Sequence, residues 1–140
     1  MPGGQPDKSP PSAACAFQTK GINMPSPVVH FEIGSSNSAQ AAQFYKAVFG
    51  WEMTSAGPAQ LITGGNEGGP TGMLNALGHP PEHYVMIYVQ VDDIEHALER
   101  VERAGGTRIV GPLPLPDGRR FAWINDTASN MIGLLTPVAS

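Results

Sequence analysis

A single spacing constrains what this chain can fold into. Shifting the sequence by 56 residues carries His30 onto Met86, Phe31 onto Ile87, Ile33 onto Val89 and Gly50 onto Gly106. Strand, helix and terminator thus recur together. VVHFEIGSS alternates as a strand, with Val29, Phe31 and Ile33 on one face and His30 and Glu32 on the other. SNSAQAAQFYKAVFG follows as a helix, capped by Asn37 or Ser38 and stopped by Gly50, with Ala41, Phe44, Tyr45 and Val48 as its apolar stripe. AQLIT and TGMLNAL are short strands on either side of GGNEGGP. The second copy repeats the order. HYVMIYVQV is a strand and DDIEHALERVERAGG a helix with Ile94, Ala97, Leu98 and Val101 inward. TRIVGPL, RRFAWI and NMIGLLTP are strands around the turn PDG.

Two copies are too few for a solenoid, so they must cover each other. The expected fold is α+β: two βαβββ modules forming one cup-shaped curved sheet with the helices outside. The helices are expected to bury the Val29, Phe31, Ile33 face of the first copy and the Val85, Ile87, Val89, Val91 face of the second. The opposite faces then form a cup, in which parity places His30, Glu32, Met86, Tyr88 and Gln90. The folded domain is expected over residues 27–138, with modules 27–80 and 82–138. Residues 1–26, rich in Pro, Gly, Ser and Ala, hold too few large apolar side chains to offset ordering entropy and read as a disordered tail. Met24 stands just ahead of the folded pattern, which leaves an upstream start or added extension as the alternative to a plain disordered tail for residues 1–23.

Composition narrows the function classes. The net charge is −4 and the eight Lys and Arg form no basic stripe, so a nucleic-acid partner is not expected. The single cysteine, Cys15, excludes an internal disulfide and fits a reducing cytoplasm. No apolar run has the length of a membrane span, so a cytoplasmic protein without a membrane partner is expected.

The segments VVHFEI, FYKAVFGWE, YVQVDDIEHALERVERAGGT and FAWINDTASNMIGLL together resemble the vicinal oxygen chelate superfamily. This family includes glyoxalase I, bleomycin-resistance proteins and extradiol dioxygenases, and the likeness is to its small glyoxalase-like proteins that carry FGWE. The resemblance covers residues 27–138. It implies a small-molecule ligand, a homodimer, and in the enzymes a divalent metal held in the cup by the first and last strand of each module. Carried over, the first-strand metal ligand of module one falls on His30, which fits. Its last-strand partner falls on Leu74 or Asn75, and those of module two fall on Met86 and Gly133. A thioether suits soft copper(I) and glycine has no side chain. One good ligand remains, so a divalent metal is not expected at the usual site. Glu32 could add a donor, and His79 and His83 lie between the modules, although alternation turns His83 toward the helix.

The candidate catalytic residues are therefore His30 and Glu32, since a carboxylate beside an imidazole raises its pKa and orients its tautomer. Met86, Tyr88, Gln90 and Trp123, with Phe121, are the candidate ligand-binding wall. The plainer alternative is that the polar pair satisfies itself on an open sheet face and the aromatics are core. Two functions follow: a lyase or related enzyme acting on a small oxygenated metabolite, or a non-catalytic sequestering protein of the bleomycin-resistance type. Other features read as structural. EHALERVER, with Glu99 and Arg103 in register and His96 beside them, is a solvated helix face. GGNEGGPTG lacks the Gly-Lys-Ser/Thr ending of a phosphate loop. NDTASN is a turn held by Asp126 and Asn130. Arg119 and Arg120 follow PDG, and either face solvent or receive an anionic group at the rim.

Overall fold

The computed structural model describes residues 25–65 and 67–138. The tail expected over residues 1–26 lies outside them, apart from its last two residues. In chain order the elements are β1 (Val28–Gly34), α1 (Ser38–Phe49), β2 (Glu52–Ala56), β3 (Ala59–Gly64) and β4 (Thr71–Asn75). They continue as β5 (Tyr84–Gln90), α2 (Ile94–Arg103), β6 (Thr107–Pro114), β7 (Arg120–Asn125) and β8 (Met131–Leu135). One mixed eight-stranded sheet runs β2-β3-β4-β1-β5-β8-β7-β6. Its centre is the antiparallel pair β1 and β5, and each of these strands has the last strand of its own module, β4 or β8, as a parallel neighbour. β2 is not among the segments whose alternation marks them as strands. It forms a hairpin with β3 in which Ala56 faces Ala59.

Both helices start as their caps dictate. The Asn37 side chain accepts from the Gln40 amide and that of Asp93 from the His96 amide. Their ends differ. Gly50 caps α1 with φ 75°, but in the second copy Gly105 takes the left-handed conformation, one residue before the Gly106 that the repeat offset selects. Gly106 is needed for space instead, because a Cβ there would stand 2.7 Å from the Asn125 carbonyl oxygen.

α2 seats Ile94, Ala97 and Leu98 against Ala122, Ile124 and Leu134, forming the core of the second module. Burying each large aliphatic there contributes roughly 1.5–3 kcal/mol. α1 departs from the expected stripe. Phe44 is 58% and Val48 54% exposed, while Tyr45 is half-buried and stacks on Trp51 at 5.3 Å. An aromatic cluster of Phe31, Tyr45, Phe49 and Trp51 therefore holds this helix from one flank. The helix-side face of β5 is likewise incompletely covered, with Val85 75% and Ile87 40% exposed, because α2 packs against β6 and β7.

NDTASN is a closed turn. One oxygen of Asp126 accepts from the amides of Ala128 and Asn130, and the other accepts from the Asn130 side chain. Ser129 sits there at φ 67°, a conformation glycine adopts at lower cost.

Candidate functional site

The concave face carries a cavity of about 600 Å³. Its wall is mainly apolar, including Leu61, Leu77, Leu115, Phe121, Trp123 and Leu135, and its polar groups are few. The site grows out of sheet register. Alternation turns His30 and Glu32 the same way, and pairing sets His30 beside Thr71 on β4 and Tyr88 on β5. Tyr88 in turn lies beside Gly133, which faces Trp123.

Glu32 is 1% exposed, yet both its oxygens are occupied. Oε1 accepts from the Tyr88 hydroxyl at 2.7 Å. Oε2 accepts from the Asn75 amide at 3.0 Å and from the Tyr84 hydroxyl. The Trp123 indole N–H continues the network by donating to the Tyr88 oxygen at 2.8 Å. A buried carboxylate is tolerable only with such donors. Burial foremost, with the nearby Glu32 carboxylate, raises the pKa values of both phenols, which stay protonated donors.

Two glycines make this arrangement possible. A Cβ on Gly34 would lie 2.1 Å from the Tyr84 ring and one on Gly133 2.3 Å from the Tyr88 ring. Each tyrosine crosses the strand beside it over a glycine and so delivers its hydroxyl to Glu32. At Gly133, where the resemblance would put a metal ligand, an aromatic ring fills the space.

His30 does not use Glu32 as its partner. Its Nδ1 lies 2.6 Å from the Thr71 hydroxyl, and that hydroxyl donates to the Val29 carbonyl at 3.3 Å. A hydroxyl has one proton, so with that proton on Val29 it accepts from Nδ1–H, and Nε2 is left with its lone pair. The Tyr88 ring meets the imidazole edge-on at 5.3 Å. Contrary to the expectation from sequence, the imidazole pKa is lowered from 6.5, because burial outweighs the opposing charge of Glu32, and Arg119 lowers it further. The neutral form is favoured in the folded state, so its contribution to stability is full above pH 6.5 and is lost as pH falls through the lower folded value. Between about pH 7 and about pH 5 the wild type should lose stability faster than His30→Gln; parallel denaturation profiles would contradict this.

The other residues singled out from the sequence are distributed unevenly. Tyr88, Trp123 and Phe121 line the cavity. Met86 is buried beneath it with Tyr88, Trp123 and Leu135, and Gln90 pairs with Leu135 at the end of β5; neither is part of the wall. Leu74 is buried and Asn75 is engaged by Glu32. His79 and His83 are exposed and lie outside the cavity. Arg120 pairs with Glu95 on α2, while Arg119 lines the cavity. Sequence reasoning missed Thr71 and Tyr84. Tyr84 shares the parity of Met86 and Tyr88, so alternation could have found it.

These donors do not fit a hard divalent metal. His30 offers one nitrogen, Glu32 has both oxygens engaged by neutral donors, and Met86 and Gly133, to which the resemblance would assign two ligands, offer a thioether and no side chain. Among the described residues no group of three His, Cys, Asp or Glu side chains converges. No helix among them is long and apolar enough to cross a membrane.

The comparisons agree on the architecture. A protein from Didymella fabae described as "Glyoxylase-like domain-containing protein" is 26% identical over 114 residues, covering 75% of this chain and 89% of that protein. A glyoxalase/bleomycin resistance protein/dioxygenase superfamily member from Vibrio splendidus 12B01 superposes with a TM-score of 0.57 at 18% identity, over 79% of this chain and 97% of the other. A Streptomyces coelicolor methylmalonyl-CoA epimerase variant, in complex with 2-nitronate-propionyl-CoA, superposes with a TM-score of 0.57 at 15% identity, over 83% of this chain and 97% of the other. The family model described as Glyoxalase/Bleomycin resistance protein/Dioxygenase superfamily matches residues 28–134, and the chain belongs to that superfamily.

Proposed function

We propose that the cup binds a small, largely apolar molecule bearing oxygen, without a metal, and that His30 acts on it as a base. The observation that best supports this is the imidazole itself, which is kept neutral by burial, held at Nδ1 by Thr71 and set in the cavity wall. On this reading His30 is the catalytic group and Thr71 a positioning residue. Glu32 positions Tyr88, whose ring fixes one side of the imidazole. Tyr88 and Trp123 form the ligand wall together with Phe121, and Met86 supports them from below. The mainly apolar wall offers a departing proton few competing acceptors, so one leaving a C–H beside a carbonyl of the ligand passes to Nε2 and is returned to another atom of the same ligand, a proton shift that needs no co-reactant. His30→Gln should keep ligand-induced thermal stabilisation across a panel of hydroxy and keto compounds while losing turnover by ~100-fold or more. Full turnover in that variant would reject the base. The wall's apolar character also favours a second reading, sequestration without turnover, which predicts stabilisation by a ligand that the wild type leaves unchanged.

The reading includes a cytoplasmic homodimer. Phe44, Val48 and Phe49 on α1 and Val85 and Ile87 on the helix-side face of β5 are exposed, apolar side chains that a second copy would cover. Light scattering should give twice the chain mass, and Val85→Asp with Phe49→Asp should give the monomer. A wild-type monomer at every concentration would refute the assembly.

A further inference from the structure

We infer that the ligand is an organic carboxylate with an apolar body, its charged end at Arg119 and its body in the cavity; this rests on the binding reading above. Among the described residues, the cavity wall contains two charged side chains, Glu32 and Arg119. Glu32 is closed to a ligand, being 1% exposed behind Tyr84, Tyr88 and Asn75, which donate to its two oxygens. Arg119 remains. The PDG turn presents it: the Leu115 amide donates to the Arg119 carbonyl at 2.7 Å, which closes the β6–β7 hairpin, and both residues reach the wall. Asp117 then orients the guanidinium, accepting from its Nε at 2.8 Å and from the Arg119 amide at 3.1 Å. That contact uses one of five donors and leaves the two terminal nitrogens, the pair that grips a carboxylate in a fork. Asp117 is exposed and its pair with Arg119 is solvent-screened, so it aligns the arginine without cancelling it. The Arg119 charge also reaches inward, since it disfavours the charged form of His30. Beyond it the wall runs through Leu115, Phe121, Trp123 and Leu135, a lining for an aliphatic or aromatic body and not for a second charge.

The inference selects acids over otherwise identical neutral molecules. The test uses matched probes on the full chain: decanoate, 4-phenylbutyrate and indole-3-acetate, each beside its primary amide, with affinities from calorimetry. Wild type should prefer each acid roughly tenfold or more, the scale of one hydrogen-bonded charge contact. Arg119→Gln should erase the preference by weakening the acids alone, Arg119→Lys should retain part of it, and Arg120→Gln, whose arginine pairs with Glu95, should leave it intact. Amides binding as tightly as acids, or a preference that survives Arg119→Gln, would overturn the inference while leaving the binding cup standing. Failure of both acids and amides to bind would overturn this inference and count against the cup as well.

Discussion

Glu32→Ala unfolds roughly 10 °C below the wild type, from a loss of about 3 kcal/mol. The expectation follows from what the substitution strands. The Tyr88 hydroxyl is buried and loses its charged acceptor, while the Tyr84 hydroxyl and the Asn75 amide, nearer to water, lose the same partner. Part of the loss is offset, because the buried carboxylate no longer has to be desolvated. Glu32→Gln should fall between the two, since its amide keeps one acceptor oxygen and turns a donor toward donors. The near-ultraviolet signal of Trp123, linked through Tyr88, should change with it. A Glu32→Ala variant within about 1 kcal/mol of wild type would mean the network contributes little.

Gly133→Ala should be as damaging. The added methyl would lie 2.3 Å from the Tyr88 ring, and Tyr88 has nowhere to retreat, being buried between Trp123 and His30. We expect a loss of about 3 kcal/mol, the upper range for overpacking. Gly34→Ala meets Tyr84 at 2.1 Å, but Tyr84 is half-buried and can swing outward, so that variant should lose less. The steric cause has its own check. In a Tyr88→Leu background, where the ring is gone, Gly133→Ala should become nearly neutral. Equal damage in both backgrounds would point to the β8 backbone and not to the ring.

Strand period is what makes the cup legible in the sequence. Alternation is geometric, so His30 and Glu32 share a face of β1, and Met86, Tyr88 and Gln90 a face of β5, once the strands are recognised; the repeat offset then aligns the two faces, as the pairing of His30 with Tyr88 bears out. Parity does not say which residues of a face line its hollow. That depends on neighbours far along the chain: Tyr88 lies over Gly133 while Met86 is covered by aromatics. The partner of His30 is likewise hidden, because Thr71 follows a Gly-rich loop of uncertain register. A sign also goes unseen. Proximity to Glu32 suggests a raised imidazole pKa, but burial is visible only once the strands are paired. The α1 stripe fails for another reason: its aromatic residues bury one another around Trp51 and leave Phe44 and Val48 outside. α2, with Ile94, Ala97 and Leu98 at helical spacing, is legible because its stripe is narrow and its other face charged.

The central claim is that the cup presents a neutral imidazole with its Nε2 lone pair available. Nitrogen-15 shifts of the His30 ring, followed from pH 8 to pH 5, test this directly. The account predicts the Nδ1–H tautomer near neutral pH, with the midpoint of protonation below 6.5. An imidazolium at neutral pH, or a neutral ring with its proton on Nε2, would contradict it.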